Sequence, residues 1–301
     1  MTDTVRLVEV GARDGLQNEK QTIDPSIKID LINRLSGCGL SIIEAGAFVS
    51  PKWVPQMAAS DTVFTGIERR ASVSYPVLVP NMRGFEAAAA VGAEEVAVFT
   101  AASETFSQKN TNASIDETFD RFAPVIRAAM DQRITVRGYV SCVLGCPFEG
   151  DIDADAVARV AGRLFDLGCY EISLGDTIGV GTFGGVRTML DRVTRTVPAA
   201  NLAGHFHDTY GQALANILAA LDSGVRVFDS SVSGLGGCPY APGASGNVAT
   251  EDVVYMLENA GMATGVDLGA LMTVSRWISE TLGREPQSRV TRACAAHEAH
   301  R

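Results

Sequence analysis

Short β-branched runs alternate with longer amphipathic stretches along the whole chain. The runs predict strands at Val5–Val10, Ser41–Phe48, Ser72–Pro80, Glu95–Ser103, Ile134–Cys142, Tyr170–Asp176, Leu202–Asp208 and Arg226–Gly234. Helical patterns lie between them. "SIKIDLINRLSGCG" places Ile27, Ile29, Leu31, Ile32 and Leu35 at apolar positions and then stops at glycine. "SIDETFDRFAPVIRAAMDQ" opens with Ser114 and has Glu117 three residues on, a capping box. "DADAVARVAGRLFDLGC" and "GQALANILAALDSG" are amphipathic and also end at glycine.

Eight such units, followed by a terminal helix over Leu268–Leu282, predict an α/β fold: a (β/α)8 TIM barrel with an extra C-terminal helical segment. The competing arrangement is an open doubly wound sheet. Against it, "EVGARDG" after the first strand is charged where a phosphate loop is glycine-rich. No Pro/Ser linker or charge run divides the chain. Residues 1–285 are therefore expected to form one barrel domain and residues 286–301 a C-terminal tail.

Composition narrows the function classes. The 301 residues are 46% hydrophobic and 20% charged, ordinary for a folded globular chain. A formal net charge of −10 argues against nucleic-acid binding but leaves an acidic small substrate open, because local charge decides that. No apolar run approaches the roughly 20 residues of a membrane span. "MTDTVRLVEV" enters a strand without a leader pattern and "AAHEAHR" is no peroxisomal signal, so a cytoplasmic protein is expected. The six cysteines (38, 142, 146, 169, 238 and 294) are too scattered for a disulfide scaffold, and the Cys142/Cys146 pair is read as structural.

In a barrel the chemistry lies at the C-terminal ends of the strands. Arg13 and Asp14 follow the first predicted strand, and Glu44 lies in the second. Asp176 ends the sixth, and His205 and His207 end the seventh. Residues two apart on a strand share a face, so the two imidazoles stand side by side. With a carboxylate from Asp14 and an amide oxygen from Asn247 they make a mixed N/O set that suits Mg²⁺ or Mn²⁺. On residues alone, Asn247 remains open between ligand and turn former. Arg13 suits an oxyanion or enolate beside a metal, against the plainer reading of a surface ion pair. Cys238 sits in "GLGGCPYAPGASGN", whose composition offers little core for a buried thiol. Glu44 and Asp176 are read as acids that orient the others.

"LVEVGARDGLQNEK", "FVSPKWVPQM", "RGYVSCVLGCP", "YEISLGDTIGVGT", "HFHDTYGQALAN" and "SSVSGLGGCPYAPGASGNVATEDVVYML" together resemble hydroxymethylglutaryl-CoA lyases, from Val5 to past Leu257. The cysteine loop is the most specific of these pieces. The resemblance implies cleavage of 3-hydroxy-3-methylglutaryl-CoA to acetyl-CoA and acetoacetate with Mg²⁺ or Mn²⁺, in leucine degradation. By motif, Asp14, His205, His207 and Asn247 match the metal ligands, and Arg13 matches the arginine that stabilises the thioester enolate. Cys238 matches the catalytic cysteine, and Glu44, Asp176 and Glu251 match supporting acids. Asn110 and Gln17 are placed on the CoA side. His205 or Asp14 is the implied base, and Cys238 the donor of a proton to C2. The implied partners are an acyl-CoA thioester and other copies of the chain, as a dimer or higher homo-oligomer, with no nucleic acid and no membrane. Ala45-Gly46-Ala47 and Pro242 depart from the pattern, where relatives carry a hydroxyl residue and a lysine. These departures leave a lyase for a longer 3-hydroxy-3-alkylglutaryl-CoA as one alternative. A condensing synthase of the same barrel group is another, although such enzymes more often read His-x-His-Asn-Asp and carry a further domain. A non-enzymatic barrel is the third, and the full set of strand-end polar residues argues against it.

Overall fold

The computed structural model describes residues 3–237 and 246–299, the side chains of the last two excepted, so Cys238 lies outside the described residues. Nine parallel strands are found: β1 (Arg6–Glu9), β2 (Ile42–Ile43), β3 (Gly46–Ala47), β4 (Val77–Leu78), β5 (Glu95–Ala101), β6 (Thr135–Ser141), β7 (Glu171–Asp176), β8 (Leu202–Phe206) and β9 (Val227–Ser230). Their order is β2-β1-β9-β8-β7-β6-β5-β4-β3. The two ends of that order are successive pieces of one extended segment. Between them the Glu44 amide donates to Glu9 O and the Ala45 amide to Pro76 O, both at 2.9 Å. The sheet therefore closes on itself as the predicted (β/α)8 barrel.

The expected second strand, Ser41–Phe48, is thus broken at Glu44–Ala45. Proline at 76 explains part of the break, since it has no N–H to return to the neighbouring strand. The expected third strand shrinks to Val77–Leu78 for the same reason.

The helices form where the sequence caps them. The Asp24 carboxylate accepts from the Ser26 amide at the start of the helix Pro25–Ser36. Ser114 and Glu117 make the expected capping box on Ile115–Asp131. The helix Ala154–Asp166 buries Val157, Val160, Ala161 and Leu164. A Cβ on Gly138 of β6 would lie 3.0 Å from Leu164 Cδ1, so helix and strand meet there without a side chain between them. Truncating a buried leucine of this kind costs about 2–5 kcal/mol.

After the barrel comes the helix Leu268–Thr281, as expected, and then a further helix, Arg289–Ala299. Asp252 ties the second one down. Its Oδ1 accepts from Ser288 Oγ at 2.8 Å and from the Val290 amide at 2.9 Å. Among the described residues no helix is long and apolar enough to cross a membrane.

Candidate active site

Beyond β1 the chain makes a single π-helical turn, Gly11–Gly15, which carries Arg13 and Asp14. Such turns are rare and recur at functional sites. Glycine is required at both ends of this one. A Cβ on Gly11 would meet Glu9 Oε1 at 2.6 Å, and one on Gly15 would meet Ser231 Oγ and Leu235 Cβ at 2.8 Å. The buried Glu9 carboxylate anchors the turn, accepting from the Gly11 amide at 2.8 Å, the Val232 amide at 2.9 Å and Thr250 Oγ1 at 2.6 Å. Burial outweighs these bonds and pushes its carboxyl up to about 7.

The π-turn brings Asp14 to the two histidines at the end of β8. Ligand atoms of Asp14, His205 and His207 all lie within 4.8 Å of one another. His205 Nε2 and His207 Nε2 face each other at 3.3 Å. Two imidazole nitrogens aimed at one point beside a carboxylate oxygen fit a divalent cation of borderline or hard character. Burial disfavours charge on all three residues, and the local charges then divide them. Arg13 and the histidines pull Asp14 below the usual carboxylate range despite its burial. His205 is raised, since the bond and charge of Asp229 outweigh desolvation. His207 falls to about 4 through desolvation and the neighbouring His205. A neutral His207 and an anionic Asp14 are the protonation states that a metal ligand needs.

Asn247 arrives from the other side. The chain returning from the glycine-rich loop pairs with the end of β8, setting Asn247 opposite His207. Its Nδ2 donates to Asp14 Oδ2 at 2.8 Å and to Leu235 O at 3.2 Å. The sequence reading expects an amide oxygen here. Facing a carboxylate, which only accepts, the amide presents nitrogen instead.

Arg13 is buried and shared between two acids. Its Nε donates to Glu44 Oε2 at 2.7 Å and its Nη1 to Asp14 Oδ1 at 2.8 Å. Among the described residues Nη2 has no protein partner, and Arg13 lines the cavity. The Glu44 carboxyl is raised by burial, which the Arg13 charge offsets only in part. Below Arg13 a buried polar network continues into the barrel interior. Tyr139 OH donates to Glu44 Oε1 at 3.3 Å and accepts from Arg137 Nη1 at 2.8 Å. Arg137 Nε reaches Glu171 Oε1 at 2.8 Å.

The site opens into a cavity of about 1130 Å³ lined by Arg13, Asp14, Gln17, Asn110, His205 and His207. Its lining also includes the cations Lys20, Lys109 and Arg121, with Glu19 beside Lys20, and the apolar Val49, Val54, Leu78 and Phe99.

The sequence profile of the HMGL-like family matches residues 4–278. The chain belongs to the HMGL-like family. A Pseudomonas aeruginosa 3-hydroxy-3-isohexenylglutaryl-CoA/hydroxy-methylglutaryl-CoA lyase is 59% identical over 292 residues, 97% of each chain. The hydroxymethylglutaryl-CoA lyase of Pseudomonas mevalonii is 59% identical over 295 residues, 98% of each chain. A crystal structure of hydroxymethylglutaryl-CoA lyase from Pseudomonas aeruginosa superposes with a TM-score of 0.96 at 58% identity, covering 99% of both chains.

Within this HMGL-like barrel the remaining expected residues fall in different places. Asp176 does not line the cavity. Its carboxylate accepts from the Gly181 amide at 2.9 Å and the Val180 amide at 3.2 Å, closing the turn after β7. Burial lifts its carboxyl to about 6, against those backbone donors. Glu251 sits behind the glycine-rich loop, where both its oxygens hold the amide of Ser233 at 3.0–3.1 Å. Ser233 has φ 60°, a left-handed conformation unusual for serine, and this clasp supports it. Cys238 lies outside the described residues. Its neighbour Gly237 lines the cavity and accepts from Asn18 Nδ2 at 2.8 Å.

Sequence reasoning missed Asp229, Arg137, Tyr139 and Glu9, all buried. A signal for three of them was present. Arg137 and Tyr139, two apart in "VRGYV", and Asp229 in "VFDS" are polar residues inside buried parallel strands, where an unpaired charge is costly.

Proposed function

We propose that this chain is a divalent-metal-dependent carbon–carbon lyase that cleaves 3-hydroxy-3-methylglutaryl-CoA to acetyl-CoA and acetoacetate. The observation that carries the reading is the convergence of Asp14, His205 and His207 beside Arg13 in a large cavity at the strand ends. The names of relatives about 59% identical over nearly the whole chain support it. Mg²⁺ or Mn²⁺, which would be held by Asp14, His205, His207 and Oδ1 of Asn247, the amide atom not turned to Asp14, would supply Lewis acidity toward the substrate's hard oxygens.

The chain's own residues do the rest. Asp14 is the proton acceptor within reach of a C3 hydroxyl placed on that cluster, since an imidazole that gives its lone pair to the cation has none left for a proton. Arg13, fixed by Glu44 and Asp14, keeps Nη2 free of those acids and lines the cavity, where the thioester oxygen gains charge as the C2–C3 bond breaks. Cys238 gives a proton to C2; at a free pKa of about 8.5 a thiol is mostly protonated at neutral pH. Asn110 and Gln17, with Lys109 and Lys20 near them in the cavity lining, take the CoA portion. Asp176 braces the turn after β7, and Glu251 braces Ser233 ahead of the segment that bears Cys238. The products fit leucine degradation. A cytoplasmic homo-oligomer, dimer or higher, completes the reading.

The apolar side chains of Val49, Val54, Leu78 and Phe99 along the cavity favour a second reading, in which a longer 3-alkyl branch is taken in place of methyl. One experiment addresses both. Protein stripped with chelator is assayed on a panel of 3-hydroxy-3-alkylglutaryl-CoA thioesters, with and without added metal. The methyl substrate is expected to be cleaved only after Mg²⁺ or Mn²⁺ is restored. Full activity in excess chelator, with no metal by elemental analysis, sinks the metal assignment. Cleavage of long-branched thioesters alone replaces the first reading with the second.

A further inference from the structure

Asp229 reaches His205 from beneath the site. It is the third residue of β9, it is 1% exposed, and its Oδ2 lies 3.0 Å from His205 Nδ1. The same oxygen accepts from Ser173 Oγ at 2.7 Å and from Arg137 Nη1 at 3.1 Å. The other oxygen, Oδ1, accepts from Arg137 Nη2 at 2.7 Å. Arg137 thus grips the carboxylate with both prongs of its fork, which fixes position as well as charge. The fork is itself held, by Glu171 at Nε and by the Tyr139 hydroxyl at Nη1.

A carboxylate only accepts hydrogen bonds, so the imidazole nitrogen facing it must carry the proton. The opposite nitrogen of His205, Nε2, then presents its lone pair toward Asp14 and His207. We propose that Asp229, held by Arg137, is a positioning residue that locks His205 in the Nδ1–H form, so that Nε2 is ready to accept a divalent cation. The inference rests on the metal reading given under Proposed function. The pair is built into the barrel wall, on strands that carry no part of the metal cluster, so the ligand is oriented by the fold itself.

Asp229→Asn tests it with almost no change of shape. The new amide nitrogen must face donors wherever it lies. At the Oδ1 position it meets Nη2 at 2.7 Å, and at the Oδ2 position it meets Nη1 at the longer 3.1 Å, beside a serine hydroxyl that can rotate to accept. The Oδ2 position is therefore preferred. An N–H there turns His205 Nδ1 into an acceptor and moves the ring proton to Nε2, which blocks the ligand.

The measurement is the long-range ¹H–¹⁵N spectrum of the metal-free protein, taken at a pH high enough that the His205 ring is neutral, with only four histidines to resolve. The His205 signals are assigned by their loss in His205→Gln. Wild type is expected to show His205 as Nδ1–H and Asp229→Asn as Nε2–H. Calorimetric titration with Mn²⁺ alone is expected to show affinity about 10–100-fold weaker in Asp229→Asn, the loss common for an outer partner of a ligating histidine. Ser173→Ala removes one bond without presenting a donor to His205, so it keeps the Nδ1–H form and weakens Mn²⁺ binding less. The proposal is overturned by an Nε2–H His205 in wild type, by wild-type Mn²⁺ affinity in folded Asp229→Asn, or by an equal loss in Ser173→Ala. If Asp229→Asn does not fold, the wild-type spectrum decides alone. A wild type that shows Nδ1–H but binds no Mn²⁺ defeats the metal reading, and with it the ligand role of His205.

Discussion

Replacing Arg13 by lysine keeps the positive charge and removes the fork. In the folded protein Nε and Nη1 are committed to Glu44 at 2.7 Å and Asp14 at 2.8 Å, while Nη2 remains for the cavity. A lysine has one nitrogen on a shorter reach. If it stays between Glu44 and Asp14, both of which need a cation, its third N–H starts from that same nitrogen and falls short of the place Nη2 holds, so the developing enolate loses its donor. The structure therefore predicts the loss of a single transition-state donor, about 10²–10³-fold in kcat, or about 2.7–4 kcal/mol. KM should move little, because the lost contact is made only as the bond breaks. Stability should also fall by less than the roughly 3–5 kcal/mol of an orphaned buried charge, since Glu44 keeps a cationic neighbour. Arg13→Met, which leaves Glu44 without one, should lose that larger amount as well as activity. Steady-state kinetics of thioester cleavage, with thermal melts of both variants, make the comparison. A kcat for Arg13→Lys within a few-fold of wild type would show that Nη2 touches nothing in the transition state. A rise in KM with kcat unchanged would make Arg13 a substrate anchor instead.

Two further tests address the glycine-rich loop and the acids behind it. Glu251 is raised by burial from 4.5 to about 7, so the native state holds its proton more tightly than the unfolded chain between those values. This group therefore removes stability as pH rises through about 4.5 to 7, by at most about 3 kcal/mol, and the penalty is complete above 7. Glu251→Gln lacks that dependence, so its melting temperature relative to wild type should climb from pH 5 to pH 8; a constant offset refutes the assignment. For Cys238, alkylation of the substrate-free enzyme should abolish turnover and a substrate analogue should protect. Cys38, Cys142, Cys146 and Cys169 are buried and should react slowly, while Cys294 is half-buried and its labelling should not track activity. Cys238→Ser, a much weaker acid of similar shape, should fold and lose most of its turnover. Wild-type cleavage by that variant would make the thiol structural.

The barrel was legible because its strands and helices differ in hydrophobic period and because caps such as Ser114–Glu117 announce themselves locally. The broken second strand was not, since it depends on Pro76 lying across the ladder from Glu44, thirty residues away in sequence. Arg13, Asp14, His205 and His207 were legible as polar residues at strand ends, the side on which this fold opens its cavity. The interior acids and bases were harder to see. Arg137, Glu171 and Asp229 sit within strands whose apolar flanks dominate the pattern, and only the closed sheet shows that they neutralise one another. Asn247 was undecided until the pairing of its segment with β8 set it opposite His207. Asp176 was chosen for the right strand end, but its side chain turns into the loop after β7 rather than into the cavity.

The two ends of the cysteine-bearing loop touch. A Cβ on Gly246 would lie 2.4 Å from the Gly236 carbonyl carbon, so the chain leaves and re-enters the wall at one point with backbone against backbone. That neck works as a rivet between two runs of backbone. Asn247, the next residue along, is fastened to β8, Asp14 and Leu235 on the wall side of it. A side chain at position 246 would drive the two backbones apart at the rivet, and the first contact to loosen would be that of Asn247 with Asp14.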